Sequence, residues 1–406
     1  MARRRKRLRI GRILIALFLI TSIIAGGLFT LNTVFKKNNT NAPSNNNASK
    51  KPSNDKDQKE DKEYKLSLLA TGDGLIHNAI YLSYELPGNT YDFKDAVSEV
   101  KDIVSKYDIA YYNQETPIAK DNSTVSGYPM FNTPHEYADA MQDIGFNMVS
   151  LASNHSLDRN ELGITNSVNY WKTTDTLFHG MATSEEEQNN SIIIKEKNNI
   201  TYTMLSYTEM TNGIPIPNGK DYLVNVYSKE KVKKDIESIR DKVDVLIVAM
   251  HWGVEYTHTP NEKQKEMAAY LASLGVDIII GNHPHVLQPI TWIDDTLVIY
   301  SLGNFISNQY STGDYSKRIG FLATMDITKT VKGNDTSIKI DNLGGELIFT
   351  HYKTLSKEPN NRYHKVIPFS KMTDGTYVKD YQRLHTKYSQ ILENMGTKLN
   401  IAPLPN

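Results

Sequence analysis

The sequence predicts an α/β layered fold with an added β-rich segment, preceded by one transmembrane helix. Three observations carry this reading. Short apolar runs alternate with amphipathic stretches along most of the chain; a β-rich pattern with Asp, Gly and Asn turns comes after them; and a long uncharged run stands behind a basic N-terminus.

The basic N-terminus comprises residues 1–12, with Arg3, Arg4, Arg5, Lys6, Arg7, Arg9 and Arg12. Residues 13–35 are uncharged, long enough to cross a bilayer as one helix. The positive-inside rule then keeps the N-terminus in the cytoplasm and places the chain beyond residue 35 outside. The expected location is the cell membrane, single-pass, with an extracellular globular domain. A cleavable signal peptide is the rival reading, with Ala25, Gly26 and Gly27 as the small residues at a cleavage site. A lipid-anchored form is excluded, because the 406 residues include no cysteine to acylate. Residues 36–63 are rich in Asn, Lys, Ser and Asp and read as a disordered tether, too poor in large apolar groups to offset ordering entropy.

Residues 64–370 form the predicted extracytoplasmic domain, and 371–406 a polar helical tail. The 46 basic residues balance 46 acidic ones, so no bulk attraction to nucleic acid is implied. The lack of cysteine also removes thiolate metal sites and cysteine catalysis. Any metal would be held by imidazole, carboxylate and amide oxygen.

Strands are predicted at 65–71, 108–112, 147–152, 243–250 and 276–280, and helices at 92–107, 134–145, 161–174, 228–242 and 260–275. Runs such as VLIVAM and VDIII are apolar throughout, which suits strands covered on both faces. The last helix is expected to begin after Thr259 with Pro260 in its first turn, and to stop at Gly275. Segments 287–302 and 318–352 read as added antiparallel strands.

Each predicted strand runs into a residue able to bind a hard or borderline metal: Asp73, Glu115, Asn154-His155, His251, and His283-Pro284-His285. In open α/β sheets ligands bind beyond the carboxyl ends of the strands, so these groups should converge. Taken singly, each has a plainer reading. Asp73 suits a turn or a helix cap, Glu115 a solvated loop, Asn154 a left-handed turn, and a lone histidine a hydrogen-bonded structural role. Residues two apart in an extended segment point the same way, so His283 and His285 should face one site, with Pro284 stiffening their spacing. Carboxylates, an amide oxygen and imidazoles suit Mn²⁺, Zn²⁺ or Fe. Six such residues exceed the needs of one four-coordinate ion, so two divalent metal ions are expected, with Glu115 as the bridging candidate. Tyr111, Tyr112, Trp252, Tyr256 and Tyr310 fall near the site, as groove lining or as core packing.

The order Gly72-Asp73, Glu115, Asn154-His155, His251, His283-Pro284-His285 resembles that of calcineurin-like metallophosphoesterases. The strings GDGLIH, NQETPIA, LASNHSLD, MHWGVEY, NHPHVLQP and SLGNFI resemble the CapA/PgsA-type poly-γ-glutamate capsule synthesis family, over about residues 66–310. That resemblance implies a four-layer α/β/β/α sandwich. It also implies Asp73, Glu115, Asn154, His251, His283 and His285 as metal ligands and His155 as the catalytic group that assists the leaving oxygen. Glu255 and Asp158 are the expected partners that orient imidazoles, with helix capping as the alternative for Asp158. The chain departs from the phosphoesterase pattern where Asp73 is followed by Gly74 and Leu75 rather than x-His, with His77 four positions on. It departs again where Glu115 replaces Asp and Asn282 replaces Gly.

The implied function is poly-γ-glutamate capsule synthesis or export, with a metal-dependent phosphoesterase-type site. Its expected partners are the membrane, capsule polymer synthase or export subunits, and an anionic polymer or phosphoester substrate. The alternative is a non-catalytic polymer-binding or scaffold component of that complex. A metal-dependent amidohydrolase barrel fits less well, because such enzymes carry His-x-His on the first strand.

Overall fold

The structure, a computed structural model, describes residues 61–309, 313–354, 362–373 and 375–405. The predicted basic N-terminus, membrane helix, most of the tether and Tyr310 lie outside the described residues. Among the described residues no helix is long and apolar enough to cross a membrane. Tyr64–Lys329 and Ile338–Asn406 form one unit; a second, smaller unit is described at 61–63 and 330–337.

Strands β1 (Lys62–Gly74), β2 (Ile109–Gln114), β3 (Met148–Ser150) and β4 (Leu177–His179) start one sheet. A second sheet takes β5 (Lys195–Lys197), β6 (Ile200–Thr208), β7 (Val245–His251), β8 (Ile278–Asn282), β9 (Leu287–Ile293) and β10 (Thr296–Leu302). The chain then returns to the first sheet with β11 (Asn304–Ile306), β12 (Ile319–Lys332), β13 (Asp335–Thr354), β14 (Arg362–Pro368) and β15 (Asn400–Ile401). The first sheet runs β14-β13-β12-β1-β2-β3-β4, with β11 beside β1 and β15 beside β13; the second runs β9-β10-β8-β7-β6-β5. Their central strands are parallel, β1 to β4 in the first and β6, β7, β8 and β10 in the second.

Side-chain parity shows how the layers stack. Leu68, Ala70, Ile109 and Tyr111 of the first sheet share one core with Ile247, Ala249, Ile278 and Ile280 of the second. Their alternates Leu69, Ala110 and Tyr112 pack outward against Val97, Tyr137, Met141 and Trp171, mostly from helices. Leu246, Val248 and Ile279 pack outward against Val232, Ile236, Met267 and Leu271 of helices Lys229–Ile239 and Glu262–Ser273. Each central strand is therefore buried on both faces, which is why its sequence is apolar without alternation.

Several boundaries differ from the sequence-based expectation. The predicted helix 92–107 is two single turns, Lys94–Val97 and Lys101–Val104, joined by the 3₁₀ turn Ser98–Val100. Val97 sits off helical geometry (φ −117°, ψ 2°), consistent with β-branched crowding, while it and Val100 stay buried. The helix expected from Pro260 starts two residues later, at Glu262: Asn261 caps it in a reciprocal capping box with Gln264. Strand β6 was not expected, because Thr203, Ser206 and Thr208 interrupt its apolar pattern. They are nonetheless buried, Thr203 donating to Ile193 O (2.7 Å) and Ser206 sharing a hydrogen bond with Ser150 (2.6 Å). In the C-terminal segment, helix Tyr381–Glu393 buries Tyr381, Leu384, Tyr388 and Leu392 in the inter-sheet core, so this stretch carries an apolar face as well as a polar one.

Candidate metal centre

The strand ends bring the predicted residues together. β1 runs through Asp73, which is fully buried, and the approach is tight: a Cβ on Gly72 would lie 1.8 Å from Gly303 O. Glycine therefore lets β1 and the Gly303 loop close, and Asp73 N donates to Gly303 O at 3.0 Å. β2 delivers Asn113 and, directly past its end, Glu115. β7 ends on His251, one residue later than expected, and β8 on Asn282, two later, so these side chains are held by strand backbone.

His283 and His285 are not in extended backbone, as the spacing argument assumed. Both have left-handed φ (95° and 58°), a kink held by Asp73 Oδ2, which accepts from His283 N (3.3 Å), and by Pro284 O, which accepts from Tyr256 N (2.8 Å). Such backbone is costly outside glycine and persists where surrounding contacts impose it. The rings still face a common site, with centroids 5.9 Å apart, and His251 lies 4.8 Å from His283.

Asp73 Oδ2 is 3.2 Å from His285 Nδ1, and Asp73 Oδ1 accepts from Asn113 Nδ2 at 2.8 Å. Glu115 Oε1 stands 3.6 Å from both His251 Nε2 and His285 Nε2. His251 Nε2 and Asn154 Oδ1 are 2.9 Å apart. Three groups of donors lie close enough to hold a cation: Glu115, His251 and His283; Asp73, Glu115 and His285; and Glu255, His283 and His285, with donor atoms of each group within 4.8 Å of one another. Glu115 is shared by the first two, the position required of a bridging carboxylate.

The electrostatics fit a cation. Both oxygens of Glu115 are buried without a hydrogen-bond partner among the described residues, as are His283 Nδ1, Asn113 Oδ1 and Asn282 Oδ1. A buried polar group left this way costs about 1–3 kcal/mol, more for a carboxylate, unless something positive meets it. Burial raises the Glu115 carboxyl well above its ordinary range, with the Asp73 charge adding to this and His285 opposing it. Burial pulls His251 well below its ordinary value and His283 down to about 4. His285 goes the other way: burial opposes protonation, but the Glu115 and Asp73 charges raise it to about 9. His251 and His283, lowered by burial, are unionised as metal ligation needs, whereas His285 and Glu115 would each give up a proton when a cation takes its place.

His155 sits apart from these donors. Its Nδ1 is 2.8 Å from Asp158 Oδ2, and the same oxygen accepts from Phe131 N at 2.8 Å. Asp158 therefore orients the imidazole, and the adjacent helix Asn160–Trp171 has no side-chain cap. With Nδ1 held, Nε2 is the ring nitrogen free to face a substrate. Glu255 lies on the exposed side of the site, beside His283 and His285 as a further donor rather than behind an imidazole. Of the aromatics, Tyr111, Tyr112 and Trp252 are buried core, Tyr111 OH also accepting from Asn282 Nδ2 (2.8 Å). Tyr256 stacks on His285 with centroids 6.0 Å apart.

A family model described as bacterial capsule synthesis protein PGA_cap matches residues 67–309. The chain belongs to that family. The PGA biosynthesis protein CapA of Bacillus subtilis (strain 168) is 28% identical over 184 residues, covering 44% of this chain and 47% of that protein. The capsule biosynthesis protein CapA of Bacillus anthracis is 28% identical over 239 residues, covering 52% of this chain and 57% of that protein. The chain thus spans about half the length of these PGA_cap relatives. Among solved structures, a 5′-nucleotidase from Staphylococcus aureus aligns with TM-score 0.43 and 13% identity, over 80% of this chain and 58% of that one. The calcineurin-like phosphoesterase YfkN from Bacillus subtilis aligns with TM-score 0.40 and 16% identity, over 69% and 91%.

Four residues of this PGA_cap site escaped the sequence reading. Asn304, in the SLGNFI string, has Oδ1 3.0 Å from His285 Nδ1 and gives its Nδ2 to Lys317 O (2.8 Å). Asn113 contacts Asp73 and His251 at once, at 2.8 and 3.3 Å. Asn212 accepts from Asn154 Nδ2 at 3.2 Å, and a TNG turn gives no signal of that. Glu209 Oε2 accepts from Gly253 N (3.0 Å), fixing the loop after His251. His77, the displaced histidine of the first motif, has Nδ1 3.2 Å from Asn308 N and is lowered to about 4 by burial.

Proposed function

We propose that this PGA_cap protein acts in poly-γ-glutamate capsule synthesis or export as a membrane-anchored, extracytoplasmic protein, and that its strand-end site is a metal-dependent phosphoesterase centre. The observation that carries the chemistry is Glu115: a fully buried carboxylate with no hydrogen-bond partner among the described residues, shared by two groups of potential metal donors. Asp73, Glu115 and His285 would hold one divalent ion, and Glu115, His251 and His283, with Asn154, a second, from Mn, Zn or Fe. When bound, such a pair supplies Lewis-acid polarisation of a phosphoryl oxygen and a nucleophile at neutral pH.

The chain's own residues do the rest. Asp158 fixes the His155 ring through Nδ1, so that Nε2 can give a proton to the leaving oxygen as the phosphorus–oxygen bond breaks. Asn113 and Asn304 hold the donor groups in place through hydrogen bonds to Asp73, His251 and His285. The relatives' printed names point to capsule biosynthesis, and the basic cluster before residues 13–35 supports the anchor.

One observation favours the accessory reading, in which the site grips polymer carboxylates without turnover. The first motif lacks its usual histidine, and His77 is held at the Asn308 backbone instead. The two separate on purified full-length protein given Mn²⁺ or Zn²⁺ and bis(p-nitrophenyl) phosphate. Metal-dependent turnover, removed by chelator and by His251→Ala, supports the hydrolase; metal uptake with no turnover supports the accessory role.

A further inference from the structure

On the His285 side of the site one aromatic residue stands in an unusual conformation. Tyr256 is 47% exposed and has left-handed φ (63°), which a bulky residue adopts only where surrounding contacts impose it. Here they do. Its ring stacks on His285, its N donates to Pro284 O (2.8 Å), and its hydroxyl is hydrogen-bonded to Glu255 and accepts from Gln309 Nε2 (3.2 Å). The ring is thus fixed against one metal donor and tied to a second, with part of its surface in solvent.

A lysine sits on that ring. Lys317 is half-buried, with Nζ 4.6 Å from the Tyr256 ring centroid. Its backbone is fixed to the same histidine: Lys317 O accepts from Asn304 Nδ2 at 2.8 Å, and Asn304 Oδ1 is 3.0 Å from His285 Nδ1. Two separate routes, through Tyr256 and through Asn304, therefore place this ammonium beside the metal donors. Lys263, near the loop after His251, is paired with Glu209, but among the described residues no carboxylate forms an ion pair with Lys317. Asp314 feels its charge from a distance. An ammonium resting on an aromatic face keeps N–H donors for an anion.

We infer that Lys317, held on Tyr256, is a specificity-determining residue that binds a second carboxylate of a polyanionic chain whose first anionic group lies on the metal ions. The inference rests on the reading of the strand-end site as a metal centre and narrows its ligand. One anionic group can meet the ions or the ammonium but does not span both, so the pair together selects a ligand with successive charges. A glutamate polymer, with a carboxylate at each residue, meets that requirement. A phosphoester whose only charge is on phosphorus does not.

The test is calorimetric binding to Mn²⁺-loaded full-length protein, with bound metal per chain read by elemental analysis. The probes are a γ-glutamyl pentamer, the same pentamer amidated to leave one terminal carboxylate, and orthophosphate. Wild type should bind the full pentamer about fivefold more tightly than the amidated one, the scale of one partly exposed charge pair. Lys317→Met, which keeps the stem over Tyr256 and removes the charge, should abolish that preference while metal per chain and orthophosphate binding stay at wild-type values. Lys317→Arg should restore it. A preference unchanged in Lys317→Met, as a lysine that only packs Tyr256 would give, overturns the inference, and so does wild type binding both pentamers alike. A Lys317-dependent preference in a chain that takes up no metal keeps the lysine as the anion site and removes the metal-centre reading; metal uptake without that preference does the reverse.

Discussion

Glu115→Gln should reverse its effect on stability according to whether metal is present. In chelator, the carboxylate is buried, its two oxygens have no hydrogen-bond partner among the described residues, and its pKa is raised well above the ordinary value, by burial first. His285 attracts it from 3.6 Å, but the raised pKa shows that burial and the Asp73 charge outweigh that attraction. A neutral amide of the same shape removes the unfavourable ionisation, so the variant should be more stable than wild type by about 1–3 kcal/mol. The sign with pH is fixed by the same shift: a carboxyl whose folded pKa is raised loses stability as pH climbs past its unfolded value near 4.5, so the gap widens from pH 5 to pH 8. With metal, wild type gains about 2.7 kcal/mol at a ligand concentration one hundred times Kd, and the variant, having lost the shared ligand, gains little. Urea denaturation in EDTA and in Mn²⁺, at both pH values, reads all four numbers. A variant less stable than wild type in EDTA would refute the claim that the site is electrostatically unsatisfied without a cation.

Three other substitutions probe different parts of the site and fold. His155→Ala should lower kcat on an aryl phosphodiester about 10²–10⁴-fold while metal per chain stays at the wild-type value, read by elemental analysis beside the kinetics. Gly72→Ala places a Cβ 1.8 Å from Gly303 O and should destabilise by about 2–4 kcal/mol with weakened metal uptake, read by denaturation and metal titration. His179, fully buried and lowered to about 4 by burial, accepts from Ser206 N at 2.8 Å. Its neutral form is required in the fold, so stability should fall between pH 6.5 and 4 by about 3 kcal/mol, and His179→Gln should flatten that slope in pH-resolved denaturation.

The sequence shows more of the site than of the scaffold around it. Asp73, Glu115, Asn154, His251 and the two closing histidines were legible because each ends an apolar run, and β-strand ends in a parallel sheet bring such residues to one side. The left-handed kink at His283 and His285 was not legible, since it depends on Asp73 and on the loop at Tyr256, residues far away in sequence. Asn212 and Asn304 were invisible for the same reason: an amide in a turn looks alike whether it faces water or an imidazole. Strand β6 was hidden by buried hydroxyls that find partners across the sheets, and the break in the helix predicted at 92–107 was hidden because β-branched residues interrupt it within a correct apolar face. Residues 13–35, read as the membrane anchor, lie outside the described residues, and the reading of the chain as membrane-anchored rests on the sequence alone.

The most direct test of the central claim is a metal titration of the full-length protein in which bound metal per chain and phosphodiester turnover are read from the same samples. The account predicts that turnover rises in step with occupancy to about two ions per chain, and that neither rises when Glu115 is replaced by Gln. A chain that takes up no metal at saturating Mn²⁺ or Zn²⁺, or that fills equally well without Glu115, would contradict it.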